Sequence, residues 1–155
     1  MVDLDIRRRG FTLLELLCAL TILSVLAAIA LPRGAAALPG LLVDQAARRL
    51  VSDLQLARVK AINRNTRVRM ICELAAAEYR IESDSEGRFE ADGAPRALPA
   101  GVAFDAQASS RVSAGRISIT FVPRGHTADN ATIVLSTPSG ASRRVIVSAA
   151  RVRLE

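Results

Sequence analysis

Three hydrophobic patterns follow one another along the chain. From Phe11 to Leu31 the residues are apolar almost without interruption, with Glu15 and Cys18 the only ionisable side chains. At ~1.5 Å rise per residue such a run matches the ~30 Å hydrocarbon core of a bilayer, which makes it a candidate membrane helix. Arg7, Arg8 and Arg9 stand immediately before it. A basic cluster at one end of an apolar span keeps that end in the cytoplasm, so the rest of the chain is expected on the far side of the membrane.

The second pattern is amphipathic. Val43, Ala46, Ala47, Leu50, Leu54, Ala57 and Ala61 fall at i, i+3, i+4 and i+7 spacing, which predicts a helix over residues 44–64 with one apolar stripe for packing on a sheet. Arg48, Arg49, Asp53, Arg58, Lys60 and Arg64 occupy the other positions and read as a solvated surface. Between the two helical runs, residues 32–43 carry two Pro and two Gly, and a kinked or partly melted helix is expected there. Beyond Arg64 the period becomes two. Val68, Met70 and Cys72 alternate with Arg67, Arg69 and Glu73, and Tyr79 with Ile81 continues the pattern after an Ala-rich connection, as in a hairpin. Further strands are expected over 102–105, 117–122, 131–136, 144–148 and 152–154, with Pro138-Ser139-Gly140 as a turn. The order is one long helix followed by an antiparallel β-domain, an α+β chain.

Composition narrows the chemistry. The chain has 155 residues, too few for a multidomain enzyme, and its single His and two Cys leave little for a metal site or a base-activated nucleophile. Cys18 lies inside the apolar run, where a bridge to Cys72 is implausible. No catalytic residue, cofactor or metal is expected.

Three fates fit the N-terminal segment: a secretory signal cut near Ala28-Ile29-Ala30, a twin-arginine signal built on Arg8-Arg9, or a retained helix. Glu15 separates them. A carboxylate in an apolar segment costs roughly 2.5–3.5 kcal/mol near the bilayer centre, and a discarded signal has no use for it. The stretch Arg9-Gly10-Phe11-Thr12-Leu13-Leu14-Glu15-Leu16 resembles the class III signal of type IV pilins and type II secretion pseudopilins. The resemblance implies cutting after Gly10 by a prepilin peptidase and N-methylation of the new first residue, Phe11. It also implies that Glu15 meets the N-terminal amine of a neighbouring subunit during assembly. Pro32 falls where such pilins often carry a helix-loosening Pro. A paired charge is tolerable in apolar surroundings where a lone one is not, which agrees with that role.

The segments Leu54–Arg58 and Ala61–Asn65, with the strand that follows and Ile119–Gly125, are similar to the H-type minor pseudopilins (GspH) and their FimT-type minor pilin relatives. That resemblance implies a pilin-like fold: leader 1–10, transmembrane and assembly helix 11–31, kinked linker 32–43, and a periplasmic domain 44–155 with helix 44–64 and sheet 66–155. It implies a single-pass protein of the inner membrane that joins the tip of a periplasmic pseudopilus driving protein export across the outer membrane. The implied partners are the peptidase, other major and minor pseudopilins, and secreted substrates or the outer-membrane secretin. The chain would be the peptidase's substrate, not an enzyme. The FimT-type alternative implies DNA binding for uptake.

The remaining candidates have plain readings. His126 stands in a loop-like stretch without metal-ligating company, and Cys72 reads as a buried thiol. Glu82, Asp84, Glu86, Glu90 and Asp92 around Gly87 offer oxygen ligands of the kind calcium takes but lack a full binding-loop pattern, so they read as a hairpin tip. Arg143, Arg144, Arg151 and Arg153 gather near the C-terminus and are candidates for phosphate contact. With aromatics at 3%, stacking on bases has little support.

Overall fold

The computed structural model describes residues 12–155 except Ala128 and Ala150; of residues 30–37 the backbone alone is described. The chain divides into two units, Met1–Ala37 and Leu38–Glu155. A helix, α1 (Leu13–Asn63), supplies the described part of the first and opens the second. Residues 32–43 are helical throughout, so of the kinked or partly melted helix expected from Pro32 and Pro39 the melted alternative is corrected. An internal Pro removes one i→i−4 bond and costs about 3 kcal/mol, but it ends a helix only if the flanking turns fail to propagate.

In the second unit, two antiparallel sheets share one core with α1. β1 (Val68–Glu73), β2 (Glu78–Ser85), β3 (Arg88–Ala91), β4 (Arg96–Ala97) and β6 (Arg116–Phe121) form sheet A, in the order β3-β2-β1-β6 with β4 beside β2. β5 (Ala103–Phe104), β7 (Ala131–Ser136), β8 (Ser142–Ser148) and β9 (Arg151–Leu154) form sheet B in the order β5-β7-β8-β9. All seven residues of the expected helical stripe are buried, against Val68, Met70, Cys72, Ile117 and Ile119 of sheet A and Ile133, Leu135, Val145 and Val147 of sheet B. The alternation in the strands therefore points one set inward and leaves the other on the outer faces.

Two turns fix the geometry around this core. Glu86 and Gly87, both at positive φ (54° and 87°), make the two-residue β2–β3 turn, the conformation whose twist suits a hairpin. Gly125, at φ 75°, lies against α1 so closely that a Cβ there would come within 2.6 Å of Ile62 Cδ1. The β2–β3 hairpin turns where the acidic run around Gly87 reads as a hairpin tip, whereas β4, only two residues long, was not foreseen.

Candidate functional site

The helix start is built by its own sequence. Thr12 caps α1, its Oγ1 accepting the Glu15 N–H at 3.2 Å, and Glu15 sits in the first turn, where the positive end of the helix dipole favours a carboxylate. The Thr12-Leu13-Leu14-Glu15 spacing is that of a capping box. Gly10 and Phe11 lie outside the described residues, and Pro32 is described in its backbone alone. From Leu13 to Ile29 the large apolar side chains are each at least half exposed, from Ile29 at 50% to Leu13 at 77%. The hydroxyls of Thr21 and Ser24 donate to the carbonyls of Cys18 and Thr21, both at 2.8 Å, which removes them as polar groups. A helix apolar on all sides needs other helices or lipid around it. Among the described residues no helix is long and apolar enough to cross a membrane, the described side chains of this run ending at Ile29.

The outer face of sheet A carries a zigzag of alternating charge. Arg116 pairs with Glu73 (2.7 Å), Glu73 with Arg80 (3.1 Å), Arg80 with Glu82 (2.7 Å) and Glu82 with Arg69 (2.6 Å). Ile71 lies beneath it, 7% exposed. Arg69 also stacks on Phe89, 4.0 Å from the ring centroid, and Arg67 pairs with Asp84 at 2.7 Å. Arg111 beside this face is held by Asp129 at 2.9 Å. The Arg116 bond holds Glu73 below the usual carboxylate range; burial pushes Glu82 upward, but Arg80 and Arg69 outweigh it and the net direction is down.

The polar face of α1 is less solvated than its composition suggests. Asp53 is buried, accepting the Tyr79 hydroxyl at 2.6 Å and the Arg96 guanidinium from β4. Lys60 and Arg64 both reach Asp92, at 2.7 and 3.2 Å, and the Lys60 bond lowers the Asp92 pKa. These contacts strap the 92–97 segment onto the helix. The acidic run thus splits: Glu82, Asp84 and Asp92 serve arginines and Lys60, while Glu86 and Glu90 are exposed. His126 is exposed, and Cys72 is fully buried with its thiol pushed up to about 12 by desolvation, which keeps it protonated and inert.

Sheet B divides the four C-terminal arginines. Arg143 turns toward α1, its Nε donating to Asp44 Oδ1 at 3.0 Å, while Arg48 holds the other Asp44 oxygen at 2.7 Å. Arg144, Arg151 and Arg153 are exposed and share the outer face by strand register. Among the described residues no ion pair engages these three. The signal available in the sequence was Asp44 at the helix start, but nothing local connects it to a residue far along the chain.

Residues 46–150 match the family of the type II transport protein GspH. The chain belongs to the GspH family. This family is one of pilin-like structural subunits, and the chain also carries the prokaryotic N-terminal methylation motif over residues 6–31. It is 38% identical over 161 residues to the pilin-like protein PilA1 of Thermus thermophilus, covering 96% of this chain and 99% of that one. Its fold is that of the minor pseudopilin EpsH from the type 2 secretion system of Vibrio cholerae (TM-score 0.61, 11% identity, 73% of this chain and 95% of that one). The type IV minor pilin FimU of Pseudomonas aeruginosa is similar to the same degree (TM-score 0.59, 18% identity, 73% and 87%), as is GspH of E. coli (TM-score 0.58, 12% identity, 75% and 89%).

Proposed function

We propose that this chain is a minor pseudopilin of a type II secretion system, held in the inner membrane by residues 11–31 and processed after Gly10. N-methylated Phe11 then begins the mature chain, and the subunit leaves the bilayer to enter the pseudopilus near its tip, its β-domain facing secreted substrates or the secretin. The observation that carries this reading is the exposed apolar surface from Leu13 to Ile29, with Glu15 its one charged side chain, inside a methylation motif. In the fibre that surface packs on neighbouring helices, and the Glu15 carboxylate meets a neighbour's Phe11 amine. The charge then has a partner in surroundings where an unpaired one would be costly. Replacing Glu15 by Gln in a strain lacking the native copy is expected to leave processing intact while removing the subunit from sheared fibres and lowering export at least tenfold. Full export with Glu15→Gln sinks the assembly role.

A second reading, a FimT-like minor pilin that binds DNA for uptake, is favoured by three outward arginines, Arg144, Arg151 and Arg153, that form no ion pair among the described residues. Each phosphate contact adds about 0.9 to the slope of log affinity against log salt, so replacing all three by Ala lowers that slope by up to about 3 if they touch the backbone. An unchanged slope excludes it.

A further inference from the structure

The two edges of sheet B are treated differently. At β7 the strand is covered first by β5 and then by the loop 105–110. Asp105 N–H donates to the Val134 carbonyl and Ser110 N–H to that of Thr132, both at 2.8 Å. The Ser109 and Ser110 hydroxyls accept the Val134 and Thr132 N–H groups at 2.9 and 2.7 Å. An edge closed in this way offers nothing to another strand.

The β9 edge is open, and the register says which groups it presents. Arg144 and Glu155 exchange both N–H···O bonds at 2.8 Å, which makes them a hydrogen-bonded pair of the antiparallel ladder. By alternation Ile146↔Arg153 and Ser148↔Arg151 are bonded pairs, whereas Val145↔Leu154 and Val147↔Val152 are not. The N–H and C=O groups of Val152 and Leu154 therefore point away from β8. Among the described residues none of them has a hydrogen-bond partner. The side chains alternate with them: Val152 and Leu154 pack partly buried on the core, and Arg151 and Arg153 stand on the outer face beside Arg144.

We propose that the β9 edge binds an extended segment of a partner protein by strand addition, and that the segment alternates acidic and apolar residues. Four main-chain bonds to Val152 and Leu154 hold it. Its apolar positions extend the surface of Val152 and Leu154, and its carboxylates lie within cross-strand reach of Arg151 and Arg153. Charge complementarity selects this occupant: three arginines against Glu155 leave the face basic. The β3 edge of sheet A carries Arg88 and Glu90 together and selects neither sign. Strand addition at β9 lies beyond the assembly reading and holds for a pseudopilus or a pilus alike.

The test titrates full-length protein in detergent with a fluorescent decapeptide of alternating Glu and Val, beside the same peptide with Lys for Glu and a duplex of random DNA. The Glu peptide is expected to bind at least tenfold tighter than the Lys peptide and to slow amide exchange at Val152 and Leu154. Val152→Pro removes an outward N–H that the β8 ladder does not use, a position where an edge strand accepts Pro, and is expected to weaken the Glu peptide at least tenfold. Arg151→Glu with Arg153→Glu, which leaves the backbone unchanged, is expected to invert the preference between the two peptides. Equal binding of the peptides, full binding by a folded Val152→Pro chain, or binding of the duplex alone overturns the proposal; in the last case the face is a phosphate surface.

Discussion

The outer faces of the two sheets use the same residue in opposite ways. On sheet A, Arg69, Arg80 and Arg116 each have a carboxylate within 2.7 Å, and the chain Arg116–Glu73–Arg80–Glu82–Arg69 covers the side of the sheet that holds Ile71, 7% exposed. On sheet B, Arg144, Arg151 and Arg153 stand exposed, with no such partner among the described residues. Arginine count therefore says little about where a basic protein meets anionic partners. A guanidinium already forked onto a carboxylate adds packing and order, whereas an unmatched one leaves charge available. The asymmetry places the fold's internal ties on sheet A and α1, and the surface open to partners on sheet B.

The largest perturbation tests whether the two sheets are one cooperative unit. Leu54 is fully buried in the core that both share, so Leu54→Ala is expected to cost about 2–5 kcal/mol and to melt both sheets in one transition. Two separate transitions in calorimetry would break the comparison at its base. Next comes Glu82→Gln, which removes one charge from between Arg69 and Arg80; a loss of about 1–3 kcal/mol in denaturant unfolding is expected, and a neutral result means the zigzag is decorative. Acid probes the same network without mutation. Glu73, Glu82 and Asp92 are all held below their ordinary values of 4.5, 4.5 and 3.8, so their contribution is present above those values and is lost as pH falls through the lower folded ones. Between pH 7 and pH 3, hydrogen-exchange protection factors, which are corrected for the intrinsic pH dependence of exchange, are thus expected to fall in β1–β3 and the 92–97 segment before they do in β7–β9. The smallest effect belongs to sheet B: Arg151→Ala with Arg153→Ala is expected to move stability by about 0.5 kcal/mol or less, since exposed side chains without partners contribute little. A larger loss means these arginines have structural work after all.

Periodicity made the core legible because burial is what a repeating apolar pattern reports. The seven positions of the helical stripe and the alternating Val68, Met70 and Cys72 are all at the interior. What escaped were the long-range polar ties. Asp53 reads as one more charge on a wet helix face, yet it is buried beneath Tyr79 and Arg96, residues brought to it by β2 and β4. Arg143 and Arg144 are neighbours in sequence and were grouped together. The two-residue period of β8 sends one to Asp44 and the other to the outer face. Residues 32–43 were misread in part because propensity counts Pro and Gly one at a time, while helix continuity is cooperative over many turns. Of the site at the N-terminus, the motif was visible in the sequence, and the structure adds the Thr12 cap over Glu15.

All of the proposed assembly rests on a helix that stays attached after processing, and the mass of the mature N-terminus tests this most directly. Intact-mass and fragmentation spectrometry of the protein from its native cells is expected to give a chain that begins at N-methylated Phe11. A chain that begins near Leu31 would contradict it, since the exposed surface from Leu13 to Ile29 would then have been discarded with a signal peptide.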